Sequence, residues 1–484
     1  MICVTVTPTS RQLAKVDLLN AARFGDVIEL CLDHLTKEPD VKDLISAVDK
    51  PVIISCRRKE DGGAWEGSEE ARLTLLRQAI VAGPAYIELD LDIASGIPRF
   101  GDTKRIISFT RLDRPEHDID GIFDEAAKQQ ADVVKFTWPT PTLDDAWPLL
   151  KAVSGKRHLP IVGLGLGRAD LTFSLLGRKY GSPWIYAALE RGMEAFDGQA
   201  TVFELDEIYH WKEIGKATTL VAVAGLGPSQ TITARVLNAG FAELDMNARC
   251  LPIEVGDIGQ LRKMLDALKI RAVITGSGLG TKLHSLADEV DESDQRSGYT
   301  DLLLKRSGGQ WRGYNSIWRS GLKALETRLG EGSFPLERRN VLVLGTGGAA
   351  RAFVFACQQR KGLVSIGGPH DEDARRIADE LNCRFVPFHN IYDTLVDVVI
   401  IADPALKCGV HQGNVNPSLF RSTMTVLDVS DPPTMHPLLE EARARECRLV
   451  EPGDVFGGQV AAQFKAISGR DLPSQAASVA TRVE

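Results

Sequence analysis

Lys135 stands inside the apolar run DVVKFT (132–137). A buried ammonium is costly unless it is paired or loses its proton. An amine freed in this way attacks carbonyl carbon and forms a Schiff base. The competing reading is a lysine that faces solvent or serves in an ion pair. Glu29 is a second charge in an apolar run, VIELCL (27–32), and Arg57 directly follows a third, PVIISC (51–56). Charges near the ends of several strands are what a barrel active site requires. A different chemistry is written at 340–352, NVLVLGTGGAARA. Gly345, Gly347 and Ala350 fit GxGxxA, with Gly348 and Ala349 between them. The first glycine permits a tight turn and the second lets backbone approach a pyrophosphate. The small third residue lets helix and strand pack, and the helix N-terminus faces phosphate. The competing reading is a Rossmann unit that holds no cofactor. No histidine or acid falls at a metal-ligand spacing such as HExxH, so no metal is expected.

These residues need elements to position them. Eight β-rich runs precede residue 190: 2–7, 27–32, 51–56, 86–91, 105–110, 132–137, 160–165 and 184–189. Amphipathic stretches such as 68–82 and 120–130 lie between them, and Ser68 followed by Glu69 and Glu70 suits a helix N-cap. Alternation of this kind predicts a parallel sheet, and eight units predict a closed (β/α)8 barrel. A new first strand is expected at 219–224, a Gly/Ser/Pro linker at 330–337, and a Rossmann-like unit from 340, with further strands at 363–366, 396–401 and 425–429. The tail after Arg470 has few apolar anchors and is expected to be loose. The fold class is therefore α/β. The expected domains are a barrel at 1–214, a substrate lobe at 218–330, a dinucleotide lobe at 335–450, and a C-terminal helix with tail at 451–484.

Composition narrows the class. The chain has 484 residues, 44% of them hydrophobic and 25% charged, as expected of a folded globular protein. Lys and Arg number 57 against 65 Asp and Glu, a net charge of −8, which lacks the basic footprint of nucleic-acid binding. No apolar run approaches the ~18 residues of a membrane span. The start, MICVTVTPTS, has no basic region and reads as a strand, not a secretory signal. Eight cysteines without a CxxC pair suggest reduced thiols in a cytoplasm.

Several segments resemble one enzyme family. VIELCLDHL (27–35) is similar to the ELRLD motif of type I 3-dehydroquinate dehydratases, and RRKEDGG (57–63) to their arginine-plus-EGG stretch. ADVVKFT (131–137) resembles the segment bearing their Schiff-base lysine. GSPWIYAAL (181–189) and DGQAT (197–201) resemble their last strand and PGQ loop. The second half resembles shikimate dehydrogenase at its dinucleotide turn, at GYN (313–315) and at Gln459 in FGGQVAAQF. The order of the halves is that of the bifunctional dehydroquinate dehydratase–shikimate dehydrogenases.

The resemblance implies an imine on Lys135, with Glu29 orienting groups and Arg57, Asp61 and Gln199 around the substrate. It also implies a carboxylate held by Thr231 and Thr233, a catalytic lysine at Lys282, and Gln459 at the substrate. NADP is the implied cofactor. The Gly-Pro-His of 368–370, followed by Asp371, Glu372 and Asp373, better suits the ribose diol of NAD. The implied ligand is a small cyclic hydroxy acid. Oligomeric state is not readable from the sequence.

This chain also departs from the family pattern. Thr110 stands where the dehydratases carry a proton-shuttling histidine, and Asp61 or His117 are the remaining candidates for that base. Cys31 replaces the arginine of ELRLD, and Ser174 falls on a substrate-binding arginine, with Arg168 close by. Gly280 falls on the dehydrogenase lysine, Asp301 on an asparagine and Ile317 on an aspartate. The expected function is dehydration of 3-dehydroquinate and reduction of 3-dehydroshikimate. The alternatives are a degenerate homologue serving as a binding, scaffold or regulatory protein, and a homologue with a changed substrate.

Overall fold

The computed structural model describes residues 1–276, 278–330 and 335–479. Of the expected linker, residues 331–334 lie outside these. The chain divides into two compact units, Met1–Thr218 with Ile253–Met264, and Thr219–Pro252 with Leu265–Glu484.

The first unit carries eight parallel strands: β1 (Ile2–Val6), β2 (Val27–Cys31), β3 (Val52–Ser55), β4 (Tyr86–Asp90), β5 (Lys104–Thr110), β6 (Val133–Pro139), β7 (Ile161–Leu166) and β8 (Ile185–Ala188). The ladder order is β7-β6-β5-β4-β3-β2-β1-β8. β7 and β8 touch, but no ladder joins them among the described residues, so the barrel is nearly closed and not fully hydrogen-bonded. Each strand is one of the apolar runs, and most helices between them start at side-chain caps. Ser10, Ser68, Asp118 and Thr142 each accept a first-turn N–H.

Side chains alternate along a strand with period two. Cys3, Val27, Ile53, Ile106 and Val133 belong to one apolar cluster. Two residues further along those strands come Thr5, Glu29, Ser55, Ser108 and Lys135, joined by Glu88 of β4, and all six are buried. The barrel therefore changes from an apolar layer to a polar one toward the C-terminal ends of its strands, the end where barrel enzymes place their sites.

The second unit has two sheets. The first is β10 (Ala248–Ile253), β9 (Thr219–Ala224), β11 (Ile270–Thr275), β12 (Leu302–Lys305) and β13 (Trp311–Tyr314) in that order, with β11-β12 and β12-β13 antiparallel. The second is wholly parallel, in the order β16 (Arg384–Phe385), β15 (Leu363–Gly367), β14 (Asn340–Leu344), β17 (Val398–Ile401), β18 (Thr425–Asp428) and β19 (Arg448–Val450). Its order reverses at β14, the switch point of a doubly wound nucleotide fold. The helix Pro452–Ser468 packs on helices Ile317–Leu329 and Pro228–Glu243. The tail is more ordered than expected. A helix at Ser474–Val479 buries Ala476, whose N–H bonds the Glu243 carboxylate, so one apolar anchor and one cap suffice. No helix among the described residues is long and apolar enough to cross a membrane.

Candidate active sites

Lys135 lies in the polar layer of the barrel, 1% exposed. Its Nζ is 2.8 Å from Glu88 Oε2 and 3.7 Å from Glu29 Oε1, and it lies over the Tyr186 ring at 4.6 Å. Arg57 donates to Glu29 Oε1, while its Nε is 3.7 Å from Glu88 Oε1. Glu29 Oε2 accepts from the Thr5 hydroxyl at 3.2 Å, and Gln199 Nε2 donates to Thr5 Oγ1 at 3.4 Å. Two cations thus face two carboxylates. Burial opposes ionisation of both acids. At Glu29 the charges of Arg57 and Lys135 outweigh it and hold the carboxyl at about 2. At Glu88 burial prevails over the same two cations and pushes the carboxyl up.

Local sequence explains why Arg57 is aimed here. Asp33 accepts the Arg57 N–H at 3.1 Å and the Ala64 N–H at 2.9 Å, pinning both ends of the RRKEDGG loop. A Cβ on Gly63 would lie 2.3 Å from the Arg57 carbonyl oxygen, so only glycine closes that loop. The structure brings together Lys135, Glu29, Arg57 and Gln199. It does not bring Asp61 to them: Asp61 pairs with its neighbour Arg58 instead, its carboxylate 2.6 Å from Arg58 Nε. His117 is exposed and Thr110 partly buried. Cys31 is buried against Arg57 and Ser55. Ser174 donates to Asp170, whose buried carboxyl is pushed up to about 7 by burial.

Glu88 and Tyr186 were missed by sequence reasoning. The signal for Glu88 was a repeated tripeptide: Ile-Glu-Leu occurs at 28–30 and again at 87–89, each in a barrel strand.

In the second unit a small cavity is lined by Ser229, Thr233, Tyr299, Ile317, Asp431 and Gln459, among others. Thr233 donates to the Ser229 carbonyl at 2.8 Å, and Ser229 donates to Asp431 at 2.8 Å. Thr231 donates to the Gly227 carbonyl instead and does not line the cavity, one helical step having turned it away. Gln459 Nε2 is 3.5 Å from Asp301 Oδ2. The Asp301 carboxylate caps the helix Ile317–Leu329, accepting the N–H groups of Ser316 and Ile317 and the Ser316 hydroxyl. Burial pushes Asp301 up to about 6.

Gly280 has a steric reason. A Cβ there would lie 2.1 Å from the Tyr299 ring, which occupies the space a side chain would need. Lys282 is exposed on the helix Gly280–Leu286 and lines none of this cavity, so it does not stand in for a lysine at 280.

The glycine-rich turn joins β14 to the helix Gly348–Gln359. Gly345 has φ of +130°, and its Cβ would meet Asp403 at 2.9 Å. Gly347 is the N-cap, no side chain caps the helix, and nothing lies within 4 Å of where its Cβ would be. Gly348, Ala349 and Ala350 are buried. An uncapped helix N-terminus behind an open glycine fits a pyrophosphate. Beyond β15, Asp371 accepts the Phe388 N–H at 2.9 Å, and Asp373 pairs with Arg376. Among the described residues no group of three or more His, Cys, Asp or Glu could hold a metal ion.

Residues 2–216 match the sequence model of the family described as type I 3-dehydroquinase. Over 98% of its length the chain is 23% identical to the bifunctional 3-dehydroquinate dehydratase/shikimate dehydrogenase, chloroplastic, of Arabidopsis thaliana, covering 83% of that protein. It is 27% identical to the shikimate dehydrogenase (NADP(+)) of Syntrophobacter fumaroxidans over 53% of this chain and 89% of that one. Among solved structures, shikimate dehydrogenase from Aquifex aeolicus is 22% identical, with a TM-score of 0.47, over 55% of this chain and 99% of that one.

Proposed function

We propose that this chain is a bifunctional enzyme of the shikimate pathway. The barrel dehydrates 3-dehydroquinate to 3-dehydroshikimate, and the second unit reduces 3-dehydroshikimate to shikimate. The observation that carries the reading is Lys135, fully buried among Glu88, Glu29, Arg57 and Tyr186 at the polar layer of an eight-stranded barrel. A lysine held this way is positioned to add to a ketone and form an imine. The imine acidifies the adjacent carbon, which is what loss of a β-hydroxyl requires. Arg57 is the cation available for the substrate carboxylate, at the expense of its bond to Glu29. Gln199 and Thr5 supply neutral hydrogen bonds to the substrate ring.

In the second unit the nicotinamide cofactor supplies hydride when bound. Gly345, Gly347 and the helix start at Gly348–Ala350 would hold its pyrophosphate. Thr233 and Gln459 would meet the substrate, and Tyr299 stands between the cavity and Gly348. In this reading 218–330 is the substrate lobe, 335–450 the dinucleotide lobe and 451–484 the return to the substrate lobe.

Borohydride reduction in the presence of dehydroquinate tests the barrel. The expected result is a covalent adduct on Lys135, seen by peptide mass, and none on Lys135→Ala. Folded protein that yields no adduct sinks the dehydratase reading.

A second reading concerns the C-terminal unit alone. Tyr299 fills the space over Gly280, and Ile317 presents an apolar wall, so neither position offers a proton donor. On this reading the unit binds nucleotide or acid without reducing it. Nucleotide binding without oxidation of NADH or NADPH by dehydroshikimate would favour it.

A further inference from the structure

We propose that Glu88 is the catalytic base of the barrel, removing the proton from the carbon next to the Lys135 imine. This rests on the imine reading above. Among the described residues no histidine lies in the polar layer, so the elimination needs another group to carry protons.

Two carboxylates flank Lys135, and their contacts separate them. Glu29 is committed on both oxygens, Oε1 to Arg57 and Oε2 to the Thr5 hydroxyl. Glu88 has Oε2 at 2.8 Å from Lys135 Nζ, while Oε1 has Arg57 Nε only at 3.7 Å, beyond hydrogen-bond range. Glu88 is therefore the carboxylate in direct hydrogen-bond contact with the nitrogen that becomes the imine, while its other close partner is the Glu29 carboxyl. The carbon that loses its proton is two bonds from that nitrogen. The environments agree with the geometry: burial pushes Glu88 up, whereas Arg57 and Lys135 hold Glu29 at about 2 against burial. Carboxyls set apart in this way divide into a proton carrier and a permanent charge.

The other candidates fail on position or chemistry. Asp61 is paired to Arg58, His117 is exposed, and Asp33 is spent on the Arg57 and Ala64 N–H groups. The Thr110 hydroxyl is no base near neutral pH. The Cys31 thiol and Tyr186 phenol are pushed up by burial.

The steps balance. The Lys135 ammonium passes one proton to the ketone oxygen as its nitrogen adds to the carbonyl carbon, and the hydroxyl of the resulting carbinolamine leaves as water with a second proton from that nitrogen, giving a protonated imine. Glu88 then takes the carbon proton, leaving an enamine. The enamine expels the β-hydroxyl, which leaves as water with the proton from Glu88. One water hydrolyses the conjugated imine, releasing product and Lys135. The net reaction is substrate to product plus one water.

Glu88→Gln in the full chain tests this. The expected result is a borohydride-trapped adduct still present on Lys135, with dehydration slowed about 10²–10⁴-fold. Deuterium from D2O should enter the substrate carbon with the native protein and not with the variant. If Glu88→Gln does not fold, Glu88→Asp, which withdraws the carboxylate by one methylene, should retain the adduct and lose most turnover. Turnover within threefold of native in a trapped variant overturns the proposal. So does an adduct on native protein without carbon–hydrogen exchange. A native protein that forms no adduct overturns the imine reading, and this proposal with it.

Discussion

Replacing Lys135 with methionine should make the barrel's stability depend steeply on pH. The side chain is buried, so the volume is nearly kept and the charge alone is lost. Two carboxylates then face only Arg57. Arg57 donates to Glu29 and lies 3.7 Å from Glu88, so one carboxylate charge goes unbalanced, and Glu88, the more distant, carries it. An uncompensated buried charge costs about 3–5 kcal/mol. Glu88 escapes that cost by taking a proton, at ~1.4 kcal/mol for each pH unit above its ordinary value. That value is 4.5. Proton uptake thus costs roughly 5 kcal/mol at pH 8 and about 1 kcal/mol at pH 5.5. The sign follows from linkage: the folded variant binds a proton that the unfolded chain has released, so stability falls as pH rises. Lys135→Met should therefore lose about 3–5 kcal/mol at pH 8 but only about 1 kcal/mol at pH 5.5. Adding Glu88→Gln should remove that slope. Hydrogen exchange of peptides covering Tyr86–Asp90 and Val133–Pro139 isolates the barrel from the second unit. An equal loss at both pH values, or a double variant with the slope intact, would refute the reasoning.

Gly280→Ala should destabilise the second unit by about 1–3 kcal/mol, because its Cβ meets the Tyr299 ring. Combining it with Tyr299→Ala should cost less than the two losses added together, and additive losses in urea unfolding would count against the contact. Asp170→Asn should stabilise the barrel by about 2–4 kcal/mol at pH 8 and by little near pH 4. Asp170 titrates at about 7 in the fold, so its native form keeps a proton the unfolded chain gives up, and stability falls between its ordinary 3.8 and 7. A pH-independent difference in hydrogen exchange of Ile161–Leu166 would contradict this. NADH should bind at least about tenfold more tightly than NADPH, since Asp371, Glu372 and Asp373 open the helix after β15 and repel a 2′-phosphate. Equal affinities in a fluorescence titration would oppose it.

The strands were legible because a barrel strand buried on both faces is a short apolar run, and all eight such runs became β1–β8. Lys135 and Glu29 were legible for the same reason, as charges where the pattern leaves no room for them. Glu88 was not, because YIELDL alternates apolar and acidic residues and reads as a half-exposed strand. Only the barrel's inward face distinguishes Glu88, aimed at Lys135, from Asp90, paired with Arg72. At Gly280 the motif shows only a glycine where the resemblance implies a lysine, and the reason lies 19 residues on, in the ring of Tyr299. Exposure separated Lys282 from the cavity, and helical phase separated Thr231 from Thr233. Neither is visible in a motif.

The seam between β7 and β8 bears on how the molecule is assembled. Among the described residues no ladder crosses that seam, so β8 hydrogen-bonds to one barrel strand only, β1, through Ile2–Ile185, Cys3–Tyr186, Val4–Ala187 and Thr5–Ala188. Every other ladder joins neighbours along the chain, whereas this one joins the first strand to the last. Such distant pairings are slow to form. A nascent chain must therefore keep its first strand waiting until some 180 further residues have emerged. Glu29, Glu88 and Lys135 can meet before then, since β2, β4 and β6 pair locally. Tyr186 and Gln199 cannot. The amine site is assembled early and acquires its aromatic floor only on closure, so a chain stopped before β8 would carry the charges of an active site without its enclosure.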